Sequence, residues 1–179
     1  TGRGATAGVL IKNAEALEVL EKVDTLVVDK TGTLTEGEPH LETVIPMSGR
    51  GEREILYLGA SLERGSEHPL ASAIVRGAEE RGLKLGKARE FRSVTGKGVV
   101  GHVDDKQVAL GNRRLLEELG VAANETVSRS EQLRKEGQTV MFVAVDGRLV
   151  GVMGVADPIK ETTADAVRQL HRDGIRLVM

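Results

Sequence analysis

Residues 29 to 37, DKTGTLTEG, place an acid, a lysine and three threonines directly behind the apolar run VDTLVV. A carboxylate at the carboxyl end of a strand can attack a terminal phosphoryl group and form an aspartyl phosphate, and such strand ends are where open α/β sheets gather ligands. Around Asp29, Lys30 would offset phosphate charge, Gly32 would permit a tight turn, and Thr31 and Thr33 would offer backbone and hydroxyl contacts. Phosphoryl transfer depends on that kind of positioning and neutralisation. The same residues also suit a turn that Asp29 merely caps, or a hydrated hairpin tip. Taken alone they leave nucleophile and cap equally open.

The elements around this stretch bear on the choice. Asn13 can cap a helix with Ala16, Leu17 and Leu20 as its apolar positions, ending near Lys22, and 23–28 then suits a buried strand of a sheet covered on both faces. Beyond Glu38 the texture changes. A short strand (LETVIP), a helix over 52–64 and a second helix from Pro69 to Gly82 come first. Strands REFRSV, VVGHV and KQVAL follow, then helices over roughly 112–119 and 125–136. TVMFVAV and RLVGVMGV flank Asp146-Gly147, a strong hairpin signal. The block 38–153 therefore reads as an α+β domain on an antiparallel sheet. ADPIKETTADAVRQLHRDG is a helix with Ala164, Val167 and Leu170 on one face, and IRLVM opens another buried strand. The expected organisation is α/β: 1–37 as the first part of a parallel-sheet domain, 38–153 as an insertion, and 154–179 as the return to the same sheet. The Gly-rich 1–12 reads as a connection, and a strand reaching the last residue leaves the sheet incomplete.

Composition removes other classes. The chain has 179 residues, 25 basic and 27 acidic and well mixed, so no basic field exists to steer a nucleic acid. There is no Cys, hence no disulfide or thiolate metal site within it. No run approaches the roughly 20 apolar residues of a membrane span, and the start does not read as a signal peptide. With aromatics at 2%, a pocket must be lined by something other than stacked rings.

DKTGTLT after an apolar strand resembles the phosphorylation motif of P-type ATPases, whose fold is that of the haloacid dehalogenase superfamily with a nucleotide-binding domain inserted after the motif. Ordinary phosphatases of that superfamily carry a second Asp two residues after the nucleophile as acid and base. Here that position is Thr31. Without the proton shuttle the phosphoenzyme lives longer, which suits a pump. SEHPLASAI at 66–74, GKGVVG at 96–101 and LGNRRLL at 110–116 resemble, in order and spacing, segments of the heavy-metal-transporting P1B class. A GxGxxG string alone would be weak, and here it lies between strands, which disfavours a dinucleotide fold.

The resemblance implies that Glu63 meets the adenine edge, that His68 packs on the base, and that Gly96, Gly98 and Gly111 let the backbone approach the nucleotide. It implies ATP and Mg²⁺ as cofactors, with the Asp29 carboxylate and Thr31 carbonyl as the chain's donors to the metal, too few for a defined octahedral site. Residues 36–39 and 156–158 would form a double hinge. Later family motifs, a Thr-Gly-Asp segment, a catalytic Lys and a Gly-Asp-Gly-x-Asn-Asp segment, are not among these residues, so this chain alone is expected to bind ATP without turnover. The parent would be an enzyme in the cell membrane with this region on the cytoplasmic side, exporting a soft transition metal, copper(I) on frequency. Its partners would be ATP or ADP, an actuator domain, and a metal ion held by transmembrane segments outside these residues. The alternatives are a soluble phosphohydrolase of the dehalogenase superfamily and a non-catalytic nucleotide-binding module.

Overall fold

Strand 139–145 shows how the sequence builds the larger part of the molecule. In the computed structural model, which describes residues 8, 13–122 and 127–179, Met141, Val143 and Val145 face one side of a sheet. Val140, Phe142 and Ala144 face the other. All six are buried, so this strand is covered on both faces and its apolar run is continuous instead of alternating. It is β6 (Thr139–Val145) of a six-stranded antiparallel sheet whose other strands are β2 (His40–Pro46), β3 (Arg89–Val94), β4 (Gly98–Val103), β5 (Lys106–Gly111) and β7 (Arg148–Ala156). The spatial order is β2-β7-β6-β5-β4-β3.

One face is covered by α2 (Glu52–Glu63) and α3 (Pro69–Glu80), which bury Ile55, Leu58, Leu62 and Ile74 against Val99, Val108 and Leu110. The other face holds α4 (Arg113–Glu118) and α5 (Val127–Lys135), through Leu115, Leu116 and Leu133. Two hairpin turns have left-handed backbone at both central residues, as type I′ geometry demands. Asp146-Gly147 is the pair expected from sequence (φ 49 and 74), and Asp104-Asp105 is a second (φ 48 and 63). A bulge shifts the β6–β7 register between Val143 and Ala144, and Val150 joins the α2/α3 face beside it.

Packing divides the chain into two compact units, Gly37–Pro158 and a second assembled from Thr1–Glu36 with Ile159–Met179. The second contains α1 (Ala14–Leu20), β1 (Thr25–Val27), α6 (Thr163–Arg172) and β8 (Arg176–Val178). β1 and β8 pair in parallel with Leu26 opposite Leu177, and Val28 N–H donates to the Val178 carbonyl at 2.9 Å. The return to the same parallel sheet is therefore present. The burial expected for 23–28 is not: the strand covers three residues, and Val27 is 75% exposed. Among the described residues the apolar run forms the expected strand without the burial expected for it. Val19 and Leu20 of α1 are likewise exposed, while the side chains of Ala16 and Leu17, and residues 1–7, 9–12 and 123–126, lie outside the described residues.

Candidate functional site

Each unit brings together one group of the residues singled out in the sequence. In the smaller unit β1 leads to Asp29, whose backbone is extended (φ −73, ψ 143). The chain then turns at Thr31 (φ −73, ψ 126) and Gly32 (φ 75, ψ −15), the angles of a type II turn, whose third position needs a glycine-like φ. Asp29, Lys30, Thr31 and Thr33 are all exposed on this turn. An exposed carboxylate at the head of a rigid turn is free to meet a phosphoryl group.

What makes the turn rigid was not legible beforehand. Thr35, only 2% exposed, accepts a hydrogen bond from Gly32 N–H at 3.1 Å through its Oγ1. The same hydroxyl donates to the Lys30 carbonyl at 3.2 Å, and Thr35 N–H donates to that carbonyl as well. From the return segment, Lys160 Nζ donates to the Gly32 carbonyl at 2.8 Å and Thr163 Oγ1 to the Leu34 carbonyl at 2.7 Å. Lys160 N–H reaches the Leu34 carbonyl too, next to a bridge between Thr35 and Ile159. Thr35 stands inside the quoted motif and could have been suspected as a staple. Lys160 and Thr163 lie more than 120 residues away and carry no local signal.

In the larger unit a cavity of about 320 Å³ is lined by Glu63, His68, Gly96, Gly98 and Gly111, the five residues expected to act together, with Lys97 beside them. Glu63 closes α2 and is 6% exposed. Its Oε2 is buried with no hydrogen-bond partner, which is costly unless a ligand or proton satisfies it. Burial pushes the carboxyl up to about 7, against a smaller lowering from the Ser66 hydroxyl. His68 is the N-cap of α3, and its Nδ1 accepts from Leu70 N–H at 3.1 Å. That bond fixes the ring plane and leaves the proton of the neutral ring on Nε2. This histidine therefore has the ordinary helix-start role and also lines the cavity.

The glycines have a more immediate reason than ligand approach. Gly98 and Gly111 pair across β4 and β5. A Cβ on Gly98 would lie 2.2 Å from the Leu110 carbonyl oxygen, and one on Gly111 would lie 2.3 Å from that of Lys97. Two backbones touch here, and the cavity wall is bare peptide as a result. Asn112, absent from the expected set, locks the wall: its Nδ2 donates to the Gly96 carbonyl at 2.8 Å and its Oδ1 caps α4 at Leu115 N–H.

The donors do not fit a divalent cation by themselves. Among the described residues no group of three or more His, Cys, Asp or Glu is arranged to hold a metal, and Asp29 with the Thr31 carbonyl supplies two ligands where Mg²⁺ takes six. The cavity does fit an adenine-like ligand, because the unpartnered Oε2 of Glu63 is an acceptor for an exocyclic amine.

The chain carries an antiparallel-sheet unit inserted between the strands of its parallel β1–β8 pair, and it belongs to the haloacid dehalogenase-like hydrolases, which match it over residues 23–179. It is 55% identical over its whole length to a copper-transporting P-type ATPase of Rhizobium leguminosarum bv. viciae, of which it covers 21%. It is 48% identical over 99% of its length to a silver-exporting P-type ATPase of Salmonella typhimurium, of which it covers 22%. The crystal structure of a zinc-transporting PIB-type ATPase in the E2.Pi state superposes on 94% of the chain, with a TM-score of 0.81 and 33% identity, over 27% of that protein. All three of these proteins are metal-transporting P-type ATPases, and the chain is similar to one part of each. The chain spans about a fifth of the length of the relatives it matches. Among its described residues no helix is long and apolar enough to cross a membrane.

Proposed function

We propose that the chain is the ATP-binding and phosphoryl-acceptor region of a membrane ATPase that exports a soft transition-metal ion, copper(I) in our reading, with this region on the cytoplasmic side. Copper is supported by the 55% identity to a copper transporter, while silver and zinc transporters among its likenesses support only the broader class. The observation that carries the reading is Glu63: a buried carboxylate oxygen without a partner, facing a cavity that His68 and bare backbone also line. In this scheme Glu63 accepts from the adenine amine, the His68 ring packs on the base, and Gly96, Gly98 and Gly111 present backbone to the nucleotide.

In the transfer step a carboxylate oxygen of Asp29 bonds to the γ-phosphorus while the bond to the bridging oxygen breaks, and ADP leaves with that oxygen. Lys30 offsets the phosphate charge, and Thr31 and Thr33 position the group. Thr31 stands where a hydrolase would keep its proton-shuttling Asp, so the acyl phosphate persists long enough to drive a conformational change. Mg²⁺ supplies charge neutralisation to the phosphates when bound, and needs donors beyond Asp29 and Thr31. An actuator domain would meet the acyl phosphate, and the 179 residues alone should bind ATP without turnover.

Calorimetric titration of ATP and ADP against the chain and its His68→Gln variant tests the adenine half. Both nucleotides should weaken by similar factors, about tenfold, because the base and not the phosphate chain is affected. Unchanged affinity for both would remove His68 from the site.

A further inference from the structure

The cavity of the Gly37–Pro158 unit is lined by residues of unlike exposure. Glu63 is buried, while the Lys97 side chain is 37% exposed and so marks the side of the cavity open to solvent, its rim. At about 320 Å³ the cavity lies at the bottom of the range of about 300–1,000 Å³ typical of small-molecule sites. It has room for a base and sugar. A phosphate chain attached to a nucleoside seated on Glu63 must therefore leave past the rim, and among the described lining residues Lys97 is the one Lys or Arg.

The backbone of Lys97 is fixed on both sides. Its N–H donates to the Val94 carbonyl at 2.9 Å, its carbonyl accepts from Asn112 N–H at 2.8 Å, and Asn112 holds Gly96 next door. The side chain instead reaches Glu118 at the end of α4 in an ion pair. Hydrogen bonding and charge from Lys97, with a smaller effect of Arg92, hold the Glu118 carboxyl below the usual carboxylate range. The pair is solvent-exposed on both sides, and such pairs contribute little, so Lys97 can exchange Glu118 for a multiply charged phosphate at small cost.

We propose that Lys97 is the phosphate-reading residue of this cavity and that Glu118 is its built-in competitor, lowering affinity in proportion to the negative charge of the bound nucleotide. The proposal rests on the adenine-nucleotide reading above. It makes the side chain between two glycines, whose backbone already holds the turn, a determinant of how far the site distinguishes ATP from AMP or adenosine.

Titration of the 179-residue chain with adenosine, AMP and ATP, in wild type, Lys97→Met and Glu118→Gln, tests it. Lys97→Met should weaken ATP about three- to tenfold, flatten the salt dependence of ATP affinity, and leave adenosine unchanged. Lys97→Arg should restore ATP binding to within about twofold of wild type. Glu118→Gln should tighten ATP about two- to fivefold without moving adenosine. If Lys97→Met weakens ATP and adenosine equally, or neither, the assignment of Lys97 fails while the adenine reading stands. ATP affinity unmoved in Glu118→Gln overturns the competitor role. A wild-type chain that binds none of the three ligands overturns both this proposal and the adenine reading.

Discussion

The two units are made from similar material and end up with opposite interiors. The six-stranded sheet of Gly37–Pro158 is sandwiched between two helix pairs, so Val143, Leu110 and Met153 are fully enclosed. The β1–β8 pair has the same β-branched and aliphatic residues, yet Val27 and Val178 face outward. The first sheet has six strands with helices on both faces, and the second has two strands among the described residues. An apolar strand is stabilised by what lies on both its faces, and strand identity alone does not provide that. The two groups of candidate residues follow the same division: the cavity residues are held by a deep core, whereas the Asp29 turn is held by hydrogen bonds.

Amide exchange should expose the contrast most strongly. Protection in 140–145 and 150–155 should exceed that in 176–178 by about a thousandfold or more, because the former exchange only by opening the whole core. Equal protection would mean that β1 and β8 are covered after all.

Gly98→Ala attacks the larger unit where backbones touch. With φ at 147° and the new Cβ driven onto the Leu110 carbonyl, neither strand can yield without breaking the β4–β5 register. A loss of about 3–4 kcal/mol in urea unfolding is expected, together with loss of nucleotide binding. A near-neutral result would show that the β4–β5 pair relaxes far more than its close backbone contacts suggest.

Glu63 sharpens the comparison through pH. Its carboxyl is raised from an ordinary 4.5 to about 7 by burial, so the folded state favours the neutral form. The associated stability is fully present below the unfolded value and is lost as pH rises through about 7, by about 2–3 kcal/mol. Wild type should thus lose stability between pH 5 and 8 relative to Glu63→Gln, in which this contribution does not titrate. Parallel pH profiles for the two proteins would refute the burial account.

The smallest effect should come from the hydrogen-bonded turn. Thr35→Val removes an acceptor for Gly32 N–H and a donor to the Lys30 carbonyl, at a cost of about 1–2 kcal/mol. Faster exchange at Gly32, with stability of 37–158 unchanged, is the expected signature. A global loss would mean that the turn does not unfold separately.

Reading the sequence succeeded where information was local. Periodic apolar positions marked α2, α3, β6 and β7 to within two residues, and Asp146-Gly147 marked its hairpin. The resemblance to P-type ATPases, and not local pattern, grouped Glu63, His68 and the three glycines, and all five line one cavity. Reading the sequence failed where a property depends on a distant partner. Glu63, at the end of an amphipathic helix, has the sequence context of a solvated residue, and only the fold around it raises its proton affinity. Lys160 and Thr163 resemble ordinary helix-start polar residues until the turn they hold is brought to them. The glycine pair illustrates a third case, a packing requirement that the sequence does not reveal, since each glycine is needed by the other's strand.

One detail of the larger unit bears on the order in which the molecule assembles. Its first and last strands are neighbours, with His40 opposite Ala156, and Gly37 N–H donates to Asp157 Oδ1 at 2.9 Å across 120 residues. Thr25 and Arg176, which meet in β1–β8, are 151 residues apart along the chain. Once 37–157 has closed on itself, the remaining tether between them is only about 30 residues. The entropy of closing that loop then falls by roughly 1.5 kcal/mol. Zippering of the parallel pair should therefore wait for the insertion, and pulse-labelled refolding should protect 140–145 before 176–178, with the reverse sequence excluding this route.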